Sequence, residues 1–244
     1  MASQRLVGNR PFYQNAAFAT LSAAIAWRLP GAWGAYFTWS FACYVTLVGF
    51  YAWKAAGYGD PARVLKPGQG WGWLVTLPMT VFNRLALNVF WATLGEDAIT
   101  DVGHGLYLSG RLLPKHRRLF EAKGIRAVVD LCSEFEEVGF IRRNAKVEEL
   151  ACPNLDLTPP HAEELRSVRR WMLDRIARGD KVLVHCAYGH GRSYAVALLV
   201  LKALDPAATL AELEPRVKSV RPRCHLSRAQ RRAVEAVFDD RVPV

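Results

Sequence analysis

Between Met1 and Gly95 the chain carries seven Lys/Arg and a single acid, Asp60, whereas from Glu96 onward 25 Lys/Arg stand beside 21 Asp/Glu. Mixed charge is the surface of a water-facing domain, and a long stretch almost free of acids does not supply one. The 244 residues are therefore expected to divide near Gly95, into 1–95 and 96–244. The formal charge of +10 splits as +6 and +4, so much of the basic excess lies beside the most apolar stretches. That placement suits an anionic membrane surface. No nucleic-acid-reading module accompanies it, and no nucleic-acid partner is expected.

Two apolar segments dominate the first part. Phe12 to Leu29 is bounded by Pro11 and by Pro30-Gly31, and Trp33 to Trp53 runs 21 residues without a charge. At 1.5 Å per residue such a run matches a hydrocarbon core of about 30 Å. The pair is expected to form an α-helical membrane hairpin with spans at about 12–29 and 33–53. A third segment, Trp71 to Leu94, holds Pro78, Asn83, Arg84 and Asn88. It is expected to lie in the interface or to add a third span. Arg5 and Arg10 before the hairpin, with Lys54, Arg63 and Lys66 after it, place both flanks in the cytoplasm. The expectation is thus a multi-pass membrane protein with its C-terminal domain cytoplasmic.

The second part alternates strand and helix patterns. Ile99 to Ser109 contains two short strand-like pieces around His104-Gly105, and helical stretches are expected at about 114–122, 161–178, 194–204, 209–220 and 227–238. Arg126–Leu131 and Lys181–His185 read as buried strands. The fold class is α/β, a central sheet flanked by helices. Five cysteines, Cys43, Cys132, Cys152, Cys186 and Cys224, form no CxxC pair. Neither a disulfide framework nor a zinc site follows, and no metal or cofactor is expected. Cys132 and Cys152 read as small buried hydrophobes, with a reversible disulfide to Cys186 as the alternative.

The chemistry is concentrated in His185-Cys186-Ala187-Tyr188-Gly189-His190-Gly191-Arg192-Ser193, between a predicted buried strand and a predicted helix. In that setting the backbone N–H groups of residues 187–191 and the positive end of the helix surround one point, an anion site. A cysteine at its head is expected to ionise near neutral pH and to attack phosphorus, forming a phosphocysteine. Arg192 offers the planar fork that fits two phosphate oxygens, and Ser193 can donate to the sulfur as it leaves. His185 is expected to orient the loop, and Tyr188 to pack or line its rim.

This pattern, His-Cys-x-x-Gly-x-x-Arg-Ser, resembles the signature of the protein-tyrosine phosphatase superfamily, and the compact domain around it resembles the dual-specificity branch. The likeness runs from about Ile99 to Phe238, through Leu106–Gly110, Val128–Leu131, Arg221-Pro222 and Gln230. It implies the cysteine-dependent phosphatase fold and a phosphoric monoester hydrolase. It also implies a proton-donating aspartate on a separate loop. Asp156, in Asn154-Leu155-Asp156-Leu157-Thr158-Pro159-Pro160 between a predicted strand and a helix, matches that position. Asp130, at the end of a buried strand, reads as a structural hydrogen-bond partner, and His161 as a helix cap or pocket-rim residue. His190 stands where some lipid-phosphatase relatives carry a basic residue that reads polyphosphorylated inositols, which disfavours those substrates. The resemblance extends to lipid-directed members such as phosphatidylglycerophosphate phosphatase. A membrane phospholipid head group is therefore the expected substrate; a phosphorylated protein is the alternative, and a non-catalytic phosphate-binding module the third reading.

Overall fold

The computed structural model describes residues 10–240 apart from 57, 59, 60, 67–73, 75, 76, 94 and 159. Arg5, Asp60, Trp71 and Pro159 lie outside the described residues. The chain forms two compact units, Met1–Val89 with Ser133–Glu136, and Phe90–Cys132 with Glu137–Val244.

The first unit is helical: α1 (Arg10–Arg28), α2 (Gly31–Ala55), the single turn α3 (Ala62–Leu65) and α4 (Leu77–Thr93), whose last turn from Phe90 belongs to the second unit. Helices α1 and α2 pack as a hairpin, with Phe18 stacked on Tyr44 at 5.2 Å between ring centroids. Cys43, Leu47 and Tyr51 form a buried stripe on α2, while Trp27 is 89% and Trp33 68% exposed. The hydroxyls of Thr20, Thr38, Ser40 and Thr46 each donate to the carbonyl four residues back, so they need no partner outside their own helix.

No helix among the described residues is long and apolar enough to cross a membrane. This corrects the expectation of spans at 12–29 and 33–53, and the alternative of a third span within 71–94 as far as that segment is described (74 and 77–93), and with them the multi-pass placement and the cytoplasmic topology. The physical reason lies in composition. Trp33–Trp53 lacks charge, but only Val45, Leu47 and Val48 are branched aliphatics. The rest is largely Trp, Tyr, Gly, Ser, Thr and Ala, whose transfer into hydrocarbon is weak, and Trp and Tyr favour the interface. Absence of charge is not the same as strong hydropathy.

The second unit is the α/β domain. Its strands are β1 (Ile99–Gly103), β2 (Leu106–Gly110), β3 (Ile125–Cys132), β4 (Glu148–Asn154) and β5 (Lys181–Cys186), in sheet order β1-β2-β5-β3-β4. Strands β1 and β2 form an antiparallel hairpin, and the other pairings are parallel. Both turn residues of the hairpin, His104 (φ 56°) and Gly105 (φ 75°), are left-handed, the demand of a two-residue turn matched to strand twist. The helices are α5 (Arg117–Lys123, after a 3₁₀ turn at Pro114–His116), α6 (Gly139–Arg142), α7 (Ala162–Ala177), α8 (Arg192–Leu204), α9 (Leu210–Val220) and α10 (Arg228–Glu235).

Strand β5 lies in the middle of the sheet and is buried on both faces, so it reads as an unbroken apolar run. Val182 and Val184 join Leu106, Leu108, Val129 and Leu131 in the larger core cluster, with side chains of α7, α8 and α9; Leu183 joins Tyr107, Val128, Phe120 and Ile141 in the smaller one. Each such fully buried side chain contributes on the order of 1.5–3 kcal/mol. Helix α8 is buried from Arg192 to Leu201, so its N-terminus is held by the core on every side.

Candidate active site

Cys186 closes β5 and Arg192 opens α8, so the loop between them sits at the carboxyl end of the central parallel strand. That is where open α/β sheets leave room for a ligand. The chain must turn there within a few residues, against β2. Gly189 has φ 77°, and a Cβ on it would collide with the backbone of Ser109 and Gly110. Gly110 in turn would carry a Cβ 3.0 Å from Ala187 O and from the Tyr188 carbonyl. The N–H of Arg111 donates to Ala187 O at 3.0 Å, which ties the loop to the end of β2.

Around the sulfur, the Gly189 N–H donates to Cys186 Sγ at 3.3 Å, and Ser193 Oγ lies 3.4 Å from it. Burial pushes the Cys186 thiol up, but the Arg192 charge and the hydrogen bonds from Ser193 outweigh it, and the thiol ends below its ordinary range. Asp156 opposes this modestly. The guanidinium of Arg192 is almost wholly buried: Nη1 donates to Asn154 O (2.8 Å) and Leu131 O (3.3 Å), and Nη2 lies 3.1 Å from Asp156 Oδ1. The carbonyls at the ends of β3 and β4 therefore aim the fork. Asp156 follows β4 on a turn, its side chain half-exposed, and the next residue, Leu157, is left-handed at φ 57°. That conformation is held by Ser227 Oγ donating to Leu157 O and Thr158 Oγ1 donating to Leu155 O.

A second layer fixes the loop from behind. Arg221 is fully buried and donates to Gly189 O (2.9 Å), Tyr188 O (3.3 Å), Asp97 O (3.0 Å) and Thr100 Oγ1 (2.9 Å). His190 Nε2 pairs with Glu96 Oε2 at 2.7 Å. Phe90 packs on Tyr188, ring centroids 4.7 Å apart. His185 points away from the sulfur, as strand alternation requires, and its Nε2 meets Glu137 Oε2 at 2.7 Å. Gln230 is buried, and its Nε2, 3.4 Å from where a Cβ on Gly191 would stand, has no hydrogen-bond partner among the described residues.

The structure thus brings Cys186, Ala187, Tyr188, Gly189, His190, Gly191, Arg192, Ser193 and Asp156 to one place. His185 adjoins it on the other face of the strand. Asp130 accepts from the Cys132 N–H (2.8 Å), and the His161 N–H donates to Glu164 at the start of α7. All five cysteines are free thiols. Arg221 is known in the sequence only as part of the family pattern; Glu96, Glu137 and Phe90 carry no local motif at all. The sole hint is that Glu96 is the first acid after Asp60.

A buried cysteine at the mouth of a strand–loop–helix anion nest, clamped by an arginine, defines a phosphatase domain. The chain matches the family model PTP-SAK, described as Swiss Army Knife protein, DSP-PTPase phosphatase domain, over residues 108–237, more than half of its length. It belongs to that family, and it is a phosphoric monoester hydrolase of the protein-tyrosine/dual-specificity type. Comparison with curated proteins finds no match. Among solved structures it is similar to human DUSP28 (20% identity, TM-score 0.52, covering 59% of this chain and 94% of that one). It is similar also to PTPMT1 in complex with PI(5)P (20%, 0.50, 59% and 96%) and to a mouse putative dual specificity phosphatase complexed with zinc tungstate (21%, 0.51, 59% and 91%). At such identities the shared property is the fold.

Proposed function

We propose that the chain hydrolyses a phosphate monoester through a phosphocysteine on Cys186, and that its substrate is a phospholipid head group such as phosphatidylglycerophosphate. The catalytic part rests on one observation: a buried sulfur that accepts from Gly189 N–H, lies beside Ser193 Oγ and is drawn below its ordinary pKa by Arg192. The thiolate attacks phosphorus and the P–O bond to the leaving group breaks. Asp156 gives the leaving oxygen its proton. Water then attacks phosphorus and passes a proton to Asp156, and the S–P bond breaks while Ser193 donates to the departing sulfur. Gln230, buried beside Gly191, is assigned the role of orienting that water. Arg192 and the amides of residues 187–191 hold the equatorial oxygens as charge spreads onto them.

The lipid part rests on the helical unit. Its exposed Trp27, Trp33, Trp53, Phe82 and Leu85, in a stretch with seven cations and one acid, suit an anionic lipid–water interface, which such a surface meets without crossing it. The PI(5)P bound to PTPMT1 belongs to that protein. Phosphate release from phospholipid monoesters in vesicles and from phosphopeptides tests the assignment. Faster release from the lipids is expected; faster release from the peptides removes the lipid assignment and leaves a protein phosphatase.

A further inference from the structure

One residue of the phosphate loop is held by a group outside it. His190 lies between the two glycines, and its Nε2 meets Glu96 Oε2 at 2.7 Å, both side chains being about nine-tenths buried. The other oxygen of Glu96 accepts from the Arg223 N–H at 3.1 Å, and Arg221 Nη2 is 4.0 Å from the first. The backbone of His190 is pinned too, its carbonyl accepting from His225 N–H at 2.9 Å. Phe90 meets the imidazole edge-on, centroids 5.7 Å apart, and Trp91 Nε1 donates to Arg111 O at 2.9 Å. Phe90 and Glu96 thus hold the loop from outside, and Trp91 is tied to the end of the neighbouring strand β2.

The charges decide what this does. Burial drives the His190 pKa down further than Glu96 draws it up, so the ring is neutral and gives its Nε2 hydrogen to a carboxylate held ionised. Glu96 then balances Arg221, and the trio behind the rim is neutral. Without the carboxylate the same place would carry a net positive charge beside an anion site.

We infer that Glu96, acting through His190, is a specificity-determining residue that fits the loop to an isolated phosphate monoester and disfavours a second phosphate monoester on the adjacent carbon. This rests on the phosphatase reading above, and it assigns to that site how many adjacent phosphate monoesters it takes. A neighbouring phosphate would approach a rim from which His190 cannot donate, because its Nε2–H is engaged, and behind which Glu96 cancels the Arg221 charge that would otherwise attract it.

The test compares inositol 4-phosphate with inositol 4,5-bisphosphate. Kinetics on wild type and Glu96→Gln read KM and kcat for both; calorimetry in a Cys186→Ser background reads binding alone, with folding checked by thermal unfolding. Glu96→Gln is expected to lower KM and Kd for the bisphosphate about tenfold relative to the monophosphate, the size of losing one charge at several ångströms in a partly buried site. The effect falls on KM, which mere loosening of the fold would not improve. An unchanged ratio in a folded variant overturns the inference. So does a wild-type protein that itself binds the bisphosphate more tightly than the monophosphate, whether or not the variant folds. Failure of turnover on every ester bears on the phosphatase reading instead, since the binding arm needs no turnover.

Discussion

The two units solve the burial problem differently. In the α/β unit, helices cover both faces of the sheet, and the strand that carries Cys186 is sealed on all sides. In the helical unit a hairpin buries one stripe per helix and leaves large aromatics outside. Chemistry needs the first arrangement, because a guanidinium and a thiol hold their geometry and charge state only where packing and low dielectric prevent escape. A contact surface needs the second. Catalysis should therefore respond to changes in one unit and substrate access to changes in the other.

The largest effect expected is from Cys186→Ser, which should lower turnover by roughly ten-thousand-fold or more while tungstate or vanadate still binds, since Arg192 and the loop amides remain. Appreciable hydrolysis by that variant would show that the sealed sulfur is not the nucleophile. Arg192→Lys should cost roughly a hundred- to a thousand-fold, nearly as much as Arg192→Ala, because a point charge cannot make the paired contacts of a fork. Activity near wild type would remove Arg192 from the clamp.

Asp156→Asn should slow an alkyl phosphate about a hundredfold but an activated aryl phosphate far less, as the latter's leaving oxygen hardly needs a proton. Equal losses would take the acid role from Asp156. The comparison between units is sharpened by deletion. Removing residues 1–89 should leave aryl phosphate turnover within about threefold while lowering hydrolysis of lipid in vesicles about tenfold, because the helical unit supplies proximity. Removing 1–95 instead also takes Phe90 and Trp91 from the loop's support, and aryl phosphate turnover should then fall as well. Equal behaviour of the two truncations would show that residues 90–95 contribute nothing to the site.

The smallest effect is on pH dependence. The proposed mechanism uses Cys186 as a thiolate and its pKa lies below the ordinary 9.0, so kcat/KM should fall on acidification as the sulfur takes up its proton. Ser193→Ala removes the side-chain hydrogen bond that lowers that pKa and keeps the backbone one, and the acid limb should move to higher pH. A limb that stays in place would mean that another group sets it.

Much of the active site can be read along the chain because its parts are local. The nine residues from His185 to Ser193 lie between a run that can only be a buried strand and a helix start, and glycine spacing exposes the loop. The supports are not local: Glu96 reaches His190 across 94 positions, Glu137 reaches His185 across 48, and Arg221 reaches Asp97 across 124. They meet because β5 inserts between β2 and β3, an order that no periodicity in the chain reveals. The helices of the first unit were equally legible, but not their relation to a membrane. A charge-free run looks like a span until its aromatic and small polar residues are weighed.

Arg221 bears on engineering. Its donors capture the carbonyls of Tyr188 and Gly189 from behind, which turns the neighbouring amides of the loop toward the sulfur. The nine-residue signature is therefore not a portable cassette. Grafted onto another strand–helix junction without a buried cation at its back, those peptide planes would be free to rotate and present oxygen to an incoming phosphate, and the graft would repel the ligand it was chosen to bind.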